Sequence, residues 1–384
     1  MINVALGLVA IGGLVYYLLI ILAVGQARRK KKDDSSVEAF PPISLLKPLK
    51  GVESGLRGYL ETFFRQDYPK YEIVFAVHDE NDPAIPLVDE LIDQYRDVEA
   101  KLIITDKPRY SNAKVYSLER LADVAAHEIL VITDSDTSVG RDYLRAIARE
   151  FRSDSVGAVT NLYRGVGNRD FWSKLEALGM STEFMGGVVV ANMLGGMDFM
   201  LGPSMAIRRQ CLKRIGGFAA IAEYLADDFV LGNWIAKCGF KVSLSRYVIN
   251  HHATSLGFLY SFYHRLRWNR STRFSRPFGY IGQGFTYGVV WAAVWFGLFI
   301  SDGSAELLIA MLFARLAVAI VLGYLLLKDE DVIYRLWMIP FQDMLSFASW
   351  IGGFLGKEIV WRDCRYKILP GGRFVKVETK EIQG

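Results

Sequence analysis

The sequence predicts an α/β domain on a parallel sheet, tethered by apolar helices before and after it. Three observations carry this. Between Phe40 and Arg276, apolar runs of strand length alternate with segments of helical period. The first 26 residues hold no charge, and long apolar stretches resume after Pro277. The chain of 384 residues is 52% hydrophobic, above ordinary soluble usage.

Taken in order, Ile43–Leu46 reads as the first strand, and Leu56, Leu60, Phe63 and Phe64 then recur at helical spacing. Tyr71–Val77 is a second strand, and Ile85, Val88, Leu91, Ile92 and Tyr95 line a second helix. Lys101–Thr105 and Val115–Ala125 repeat the pair, and Glu128–Thr133 is a fourth strand, continuously apolar as a strand buried on both faces should be. In such sheets ligands bind beyond the carboxyl ends of the strands.

The segment Val4–Val24 is long enough to span the hydrocarbon layer. With no basic residue before it and Arg28, Arg29, Lys30, Lys31 and Lys32 after it, it reads as a retained anchor (residues 1–27) rather than a cleaved signal. The positive-inside bias then puts the chain beyond Lys32 in the cytoplasm. Residues 40–276 form the expected catalytic domain, 277–356 the C-terminal membrane segments, and 357–384 a basic cytoplasmic tail. Within 277–356, Pro277–Ser301 and Leu307–Leu327 read as spans. Leu336–Gly356 is a third apolar stretch, and because three crossings would put the basic tail outside, one of these C-terminal segments is expected to be re-entrant or interfacial. Arg315 and Asp343 fall inside apolar segments, as a functional pair or a helix–helix pair. The run Phe184–Met197, rich in Gly and Met, is too short to span and reads as an interfacial surface for a lipid tail.

With 45 basic and 41 acidic residues and no long block of one sign, no nucleic-acid partner is expected. Three scattered cysteines carry neither metal spacing nor a disulfide framework. The chemistry is in the acidic strand ends. The second strand runs into His78-Asp79-Glu80-Asn81-Asp82 and the fourth into Asp134-Ser135-Asp136. Two carboxylates one residue apart in a turn can share a hard divalent ion, although Asp-Ser-Asp is also good turn chemistry. Asp227 and Asp228 open a helix running to Lys237, where they suit the helix dipole or supply a general base. His264-Arg265-Leu266-Arg267-Trp268 precedes the second membrane region as a positive flank, and its guanidinium fork also suits a diphosphate.

These sites in this order, with Ser44-Leu45-Leu46-Lys47-Pro48-Leu49-Lys50-Gly51-Val52, Leu60-Glu61-Thr62-Phe63-Phe64, Asp67-Tyr68-Pro69-Lys70-Tyr71-Glu72 and Asp82-Pro83-Ala84-Ile85, resemble a family 2 glycosyltransferase of the GT-A fold and the ceramide glucosyltransferase type. The resemblance covers about Pro42 to Lys367. It implies that Asp79 contacts the nucleotide base, Asp134 and Asp136 hold the metal (Mn2+ or Mg2+), Asp228 beside Asp227 is the base, and Arg267 with Trp268 contacts the diphosphate. His264 stands where the family has Gln or Arg. Lys114, after the third strand, is a further diphosphate contact or an exposed loop lysine, and His251 and His252 are an extra metal ligand or a satisfied loop pair.

The activity implied is inverting transfer of a hexose from a UDP-sugar to a membrane-lipid hydroxyl, that of ceramide in the first place. Asn161-Leu162-Tyr163-Arg164-Gly165, the complete Asp134-Ser135-Asp136 and His264 are similar to the bacterial branch that includes hopanoid-associated enzymes, which implies a bacterial inner membrane and, as the alternative, transfer from a UDP-sugar such as UDP-GlcNAc to a hopanoid. A processive polysaccharide synthase shares these motifs but needs more helices than this chain offers.

Overall fold

The computed structural model describes residues 2–29, 40–168, 170–254, 257–361 and 364–377; Lys30, Lys31, Lys32 and Arg362 lie outside them. The chain opens with α1 (Ile2–Arg29), then β1 (Ile43–Pro48), α2 (Leu56–Phe64), β2 (Tyr71–Val77), α3 (Ala84–Gln94), β3 (Glu99–Ile104), α4 (Ala113–Val124) and β4 (Ile129–Thr133). Next come β5 (Thr137–Ser138), α5 (Tyr143–Glu150), β6 (Val156–Gly167), α6 (Phe171–Gly179), α7 (Met185–Gly195), β7 (Ser204–Arg208), α8 (Arg209–Arg214), α9 (Asp227–Lys237) and β8 (Lys241–Ala253). The remainder is α10 (Phe258–Ser275), α11 (Pro277–Gln283), α12 (Gly288–Leu298), α13 (Asp302–Ala319), α14 (Asp331–Arg335), α15 (Ile339–Gly353), β9 (Glu358–Trp361), β10 (Cys364–Ile368) and β11 (Phe374–Lys376).

The chain divides into two compact units: Asp33–Leu162 with Gly196–His252, and Met1–Lys32 with Tyr163–Gly195 and Ala253–Gly384. In the first, the sheet order is β3-β2-β1-β4-β7-β6-β8-β5. The expected parallel sheet holds for β3, β2, β1 and β4. It becomes mixed beyond them, because β7 pairs antiparallel to both β4 and β6, and β5 antiparallel to β8. Buried β4 reads as an almost unbroken apolar run because both faces are covered, and β1 is equally buried although Ser44 and Lys47 interrupt its apolar residues. The parallel run brings the carboxyl ends of β2 and β4 to one edge, two strand spacings or about 10 Å apart.

The second unit is helical, with a small antiparallel sheet of β9, β10 and β11. In it α1 packs against α7, α12 and α13. A Cβ on Gly13 would stand 2.5 Å from Gly288 Cα, so α1 and α12 touch backbone to backbone, as small residues allow between membrane helices. The guanidinium of Arg315 on α13 donates from Nε and Nη2 to the Asp343 carboxylate on α15 at 2.9 and 2.8 Å, and from Nη1 to the Thr182 carbonyl at 3.2 Å. This is the helix–helix pair of the two readings.

Three helices among the described residues are long and apolar enough to cross a membrane: Ile2–Arg29, Phe171–Gly195 and Asp302–Leu326. Two expectations need correction. Pro277–Ser301 is no single span, since α11 ends at Gln283 and α12 is only 11 residues long. Nor is Phe184–Met197 a loose interfacial run. Met185–Gly195 is a helix continuing α6 through a π turn at Met180–Phe184, with Val188 and Val189 buried. Packing on its neighbours outweighs the low helix propensity of its glycines.

Candidate active site

Strand β4 delivers Thr133 and Asp134 to the sheet edge, and the two-residue β5 ends the acidic turn by pairing Thr137 with His251 of β8. The Asp136 carbonyl accepts from His252 N at 2.8 Å, and His251 Nε2 lies 3.3 Å from Asp136 Oδ2. The two histidines therefore belong to a strand, not to a loop. His252 stacks on Tyr59 at 3.8 Å, and burial lowers its pKa to about 4, so it is neutral at physiological pH.

Asn112 caps α4 by accepting from Val115 N at 3.2 Å, which puts Lys114 in the first helical turn. Its Nδ2 donates to the Tyr224 carbonyl at 3.0 Å and ties this turn to the chain leading into α9. Lys114 Nζ sits 2.5 Å from Asp134 Oδ1 and 3.9 Å from Asp227 Oδ2. Burial works against its charge, but Asp134 and Asp227 outweigh that and hold its pKa above the ordinary lysine value. An exposed loop lysine is thereby ruled out.

Asp227 and Asp228 form the first turn of α9 as expected. Asp228 Oδ1 accepts from Phe229 N at 2.7 Å and Oδ2 from Gly202 N at 2.9 Å. A Cβ on Gly202 would stand 3.3 Å from Asp228 Oδ2 and 3.6 Å from Asp134 Oδ2, so this glycine lies between the two carboxylates. Burial, then the charge of Asp227, pushes the Asp228 carboxyl up to about 6 against the pull of Lys114 and the two amides. Asp227 is raised for the same first reason, and its Oδ2 is buried without a hydrogen bond.

Asp136 titrates below its ordinary value: burial raises it, but His251 and then Lys47 and Lys114 more than reverse this. Its Oδ1 is buried and has no hydrogen-bond partner. The orphaned Oδ1 of Asp136 is the kind of acceptor that a hard divalent cation, Mn2+ or Mg2+, takes. Among the described residues, however, no group of three or more His, Cys, Asp or Glu side chains is gathered around a metal position, so such a cation would need further ligands from the diphosphate.

Asp79 is exposed past the end of β2, where its Oδ1 accepts from Asn81 N at 2.9 Å. Asp82 is structural: it accepts from Gly51 N at 3.0 Å and from Ala84 N at 2.9 Å. His264, Arg267 and Trp268 lie on α10, in the other unit. His264 Nδ1 is 2.8 Å from the buried Glu176 Oε1, and its ring stacks obliquely 4.5 Å from Trp268. Arg265, Arg270 and Arg273 of the same basic stretch are bound internally, Arg265 to Gln342 and Ser346, Arg270 and Arg273 to backbone carbonyls near α15. Arg267 is half-buried, 5.8 Å from the Trp361 ring.

Two residues of the site escaped sequence reasoning. Gly202 looks like ordinary turn chemistry before Pro203. Lys47 is fully buried, with Nζ donating to Thr133 Oγ1 at 2.9 Å and to the Asp134 carbonyl at 2.8 Å. A lysine inside the apolar run Leu45-Leu46-Lys47-Pro48 was the available signal. Burial lowers its pKa to about 7 despite the attraction of Asp134 and Asp136.

A sheet parallel over β3, β2, β1 and β4, mixed beyond them and carrying acidic turns at its carboxyl edge, is that of the GT-A fold. The fold is shared with the mannosyltransferase PcManGT from Pyrobaculum calidifontis, solved with GDP-Man and Mn2+, at TM-score 0.53 and 21% identity over 91% of this chain and 98% of that one. The chain belongs to glycosyl transferase family 21, whose profile matches residues 5–374. The ceramide glucosyltransferase type that the sequence motifs resemble therefore stands. Ceramide glucosyltransferase 1 of Caenorhabditis elegans is 26% identical over 348 residues, 87% of this chain and 73% of that protein. The beta-monoglucosyldiacylglycerol synthase of Trichormus variabilis is 25% identical over 212 residues, 53% of this chain and 44% of that protein.

Proposed function

We propose that the chain transfers a hexose from a UDP-sugar to the hydroxyl of a membrane lipid, with inversion at the anomeric carbon. The observation that carries this is Asp228: a carboxylate held by two backbone amides, with Gly202 between it and the Asp134 carboxylate, and raised by burial to about 6 against the charge of Lys114. Each of its oxygens keeps a lone pair free for a proton. Asp228 accepts the proton of the acceptor hydroxyl; that oxygen bonds to the anomeric carbon as the bond to UDP breaks. A divalent cation held by Asp134 and Asp136 would neutralise the charge developing on the diphosphate. Lys114 donates to the same phosphates and Asp79 reads the uracil edge, while the diphosphate contact that the family resemblance gives to Arg267, Trp268 and His264 is a separate proposal about α10.

Ceramide, the lipid in the name of the Caenorhabditis elegans relative, is the acceptor proposed first. Cells expressing the chain should gain a lipid carrying one extra hexose, read by mass spectrometry of lipid extracts. An N-acetylhexosamine on a hopanoid would support the second acceptor, and sugar found only in polymer would overturn lipid transfer.

The site faces the cytoplasm in this reading, as the basic residues after α1 suggest. Cys238 is exposed in the catalytic unit, Cys211 is buried and Cys364 half-buried. In a Cys364→Ser background, an impermeant maleimide should label Cys238 only after the cells are opened. Labelling of intact cells overturns this orientation.

A further inference from the structure

Lys47 stands out because an apolar residue would serve its place in the core equally well. It is 0% exposed, as are Ile43, Leu45 and Leu46 of the same strand. Burying an ammonium is costly unless something compensates it. Its compensation is two hydrogen bonds and the Phe63 ring 3.9 Å away, with no carboxylate in hydrogen-bond contact. Both bonds end on the junction between β4 and the acidic turn. They hold the side chain of the last strand residue, Thr133, and the carbonyl of the first turn residue, Asp134. The far end of the turn is held separately, by His252 N on the Asp136 carbonyl at 2.8 Å. The turn is therefore clamped at both ends, by a side chain on one side and a strand backbone on the other.

We propose that Lys47 is a positioning residue: its two hydrogen bonds fix the turn so that Asp134 and Asp136 present their carboxylates to one divalent cation. This rests on the reading that those two residues hold the cation. Lys47 touches neither carboxylate and reaches them only through the backbone and Thr133. Its charge alone would act in the opposite direction, since a cation behind the site repels the metal. The two roles are thus separable by the sign of a single measurement.

The measurement is Mn2+ uptake by the full-length, detergent-solubilised protein in the presence of UDP, followed by the loss of the free-Mn2+ paramagnetic resonance signal. Lys47→Met should weaken binding about tenfold or more, as loss of a partner behind a ligand does. Thr133→Val, which keeps the lysine, should weaken it less, and the double variant should fall short of the product of the two effects. Tighter binding by Lys47→Met would assign the lysine an electrostatic role and overturn positioning; so would unchanged binding. If Lys47→Met does not fold, Thr133→Val decides, and wild-type affinity in that variant sinks the proposal. No Mn2+ uptake by the wild type overturns the metal reading and this one together, whereas wild-type uptake with unaltered variants overturns only the role of Lys47.

Discussion

Asp228→Asn lowers lipid glycosylation about a thousandfold while UDP binding changes by less than about threefold, the expected result if this carboxylate is the general base. The amide keeps the volume but offers one acceptor oxygen where the carboxylate offers two, so it keeps the bond from either Gly202 N or Phe229 N and turns its NH2 toward the other, which is why UDP binding is measured beside turnover as the control for the fold. What it loses is the capacity to take a proton. The wild-type pH profile of kcat/KM carries the same information. The base works deprotonated, and burial beside Asp227 sets its pKa at about 6. The rate should therefore be full above that pH and fall roughly tenfold per unit below it. Transfer by Asp228→Asn within about tenfold of wild type would move the base elsewhere, with Asp227 the next carboxylate to test.

Asp136→Ala, or EDTA on the wild type, should remove nearly all turnover. The loss expected is several kcal/mol of transition-state stabilisation, about a thousandfold in rate. Mn2+ or Mg2+ should restore the chelated wild type and leave the variant inactive. Full activity in EDTA would mean that the diphosphate departs without a cation and that Asp134 and Asp136 do not hold one. Because Asp134 is held by Lys114 at 2.5 Å while Asp136 Oδ1 has no hydrogen bond, the variant at 136 is the cleaner probe of the cation.

Periodicity placed β1 to β4 and their helices within a residue or two, because each is short and locally patterned, the half-buried edge strand β3 included. The same reading put Asp227 and Asp228 at a helix start, and the structure gathers them with Asp134 and Lys114. Strand direction was not legible. Pairing of β7 with β4 and of β5 with β8 is decided by contacts distant in sequence, and it is this pairing that turns His251 toward Asp136. The membrane region misled for a related reason: hydropathy measures composition, not continuity. It joined α11 to α12 across a break at Gly284–Thr286. It also passed over Phe171–Gly195, whose apolar stretch is interrupted by Lys174, Glu176 and Glu183.

The backbone contact of Gly13 with Gly288 bears on how this enzyme can be taken apart. A helix that merely moors a soluble domain is dispensable, and trimming it is a common route to a tractable protein. Here α1 is a wall of the helical unit, with Ala10, Tyr17, Ile20 and Val24 buried. Cutting it away would bare the faces of α7, α12 and α13 that it covers. Residues 2–29 are thus an integral part of the helical unit, and a shortened chain would be a different object to purify.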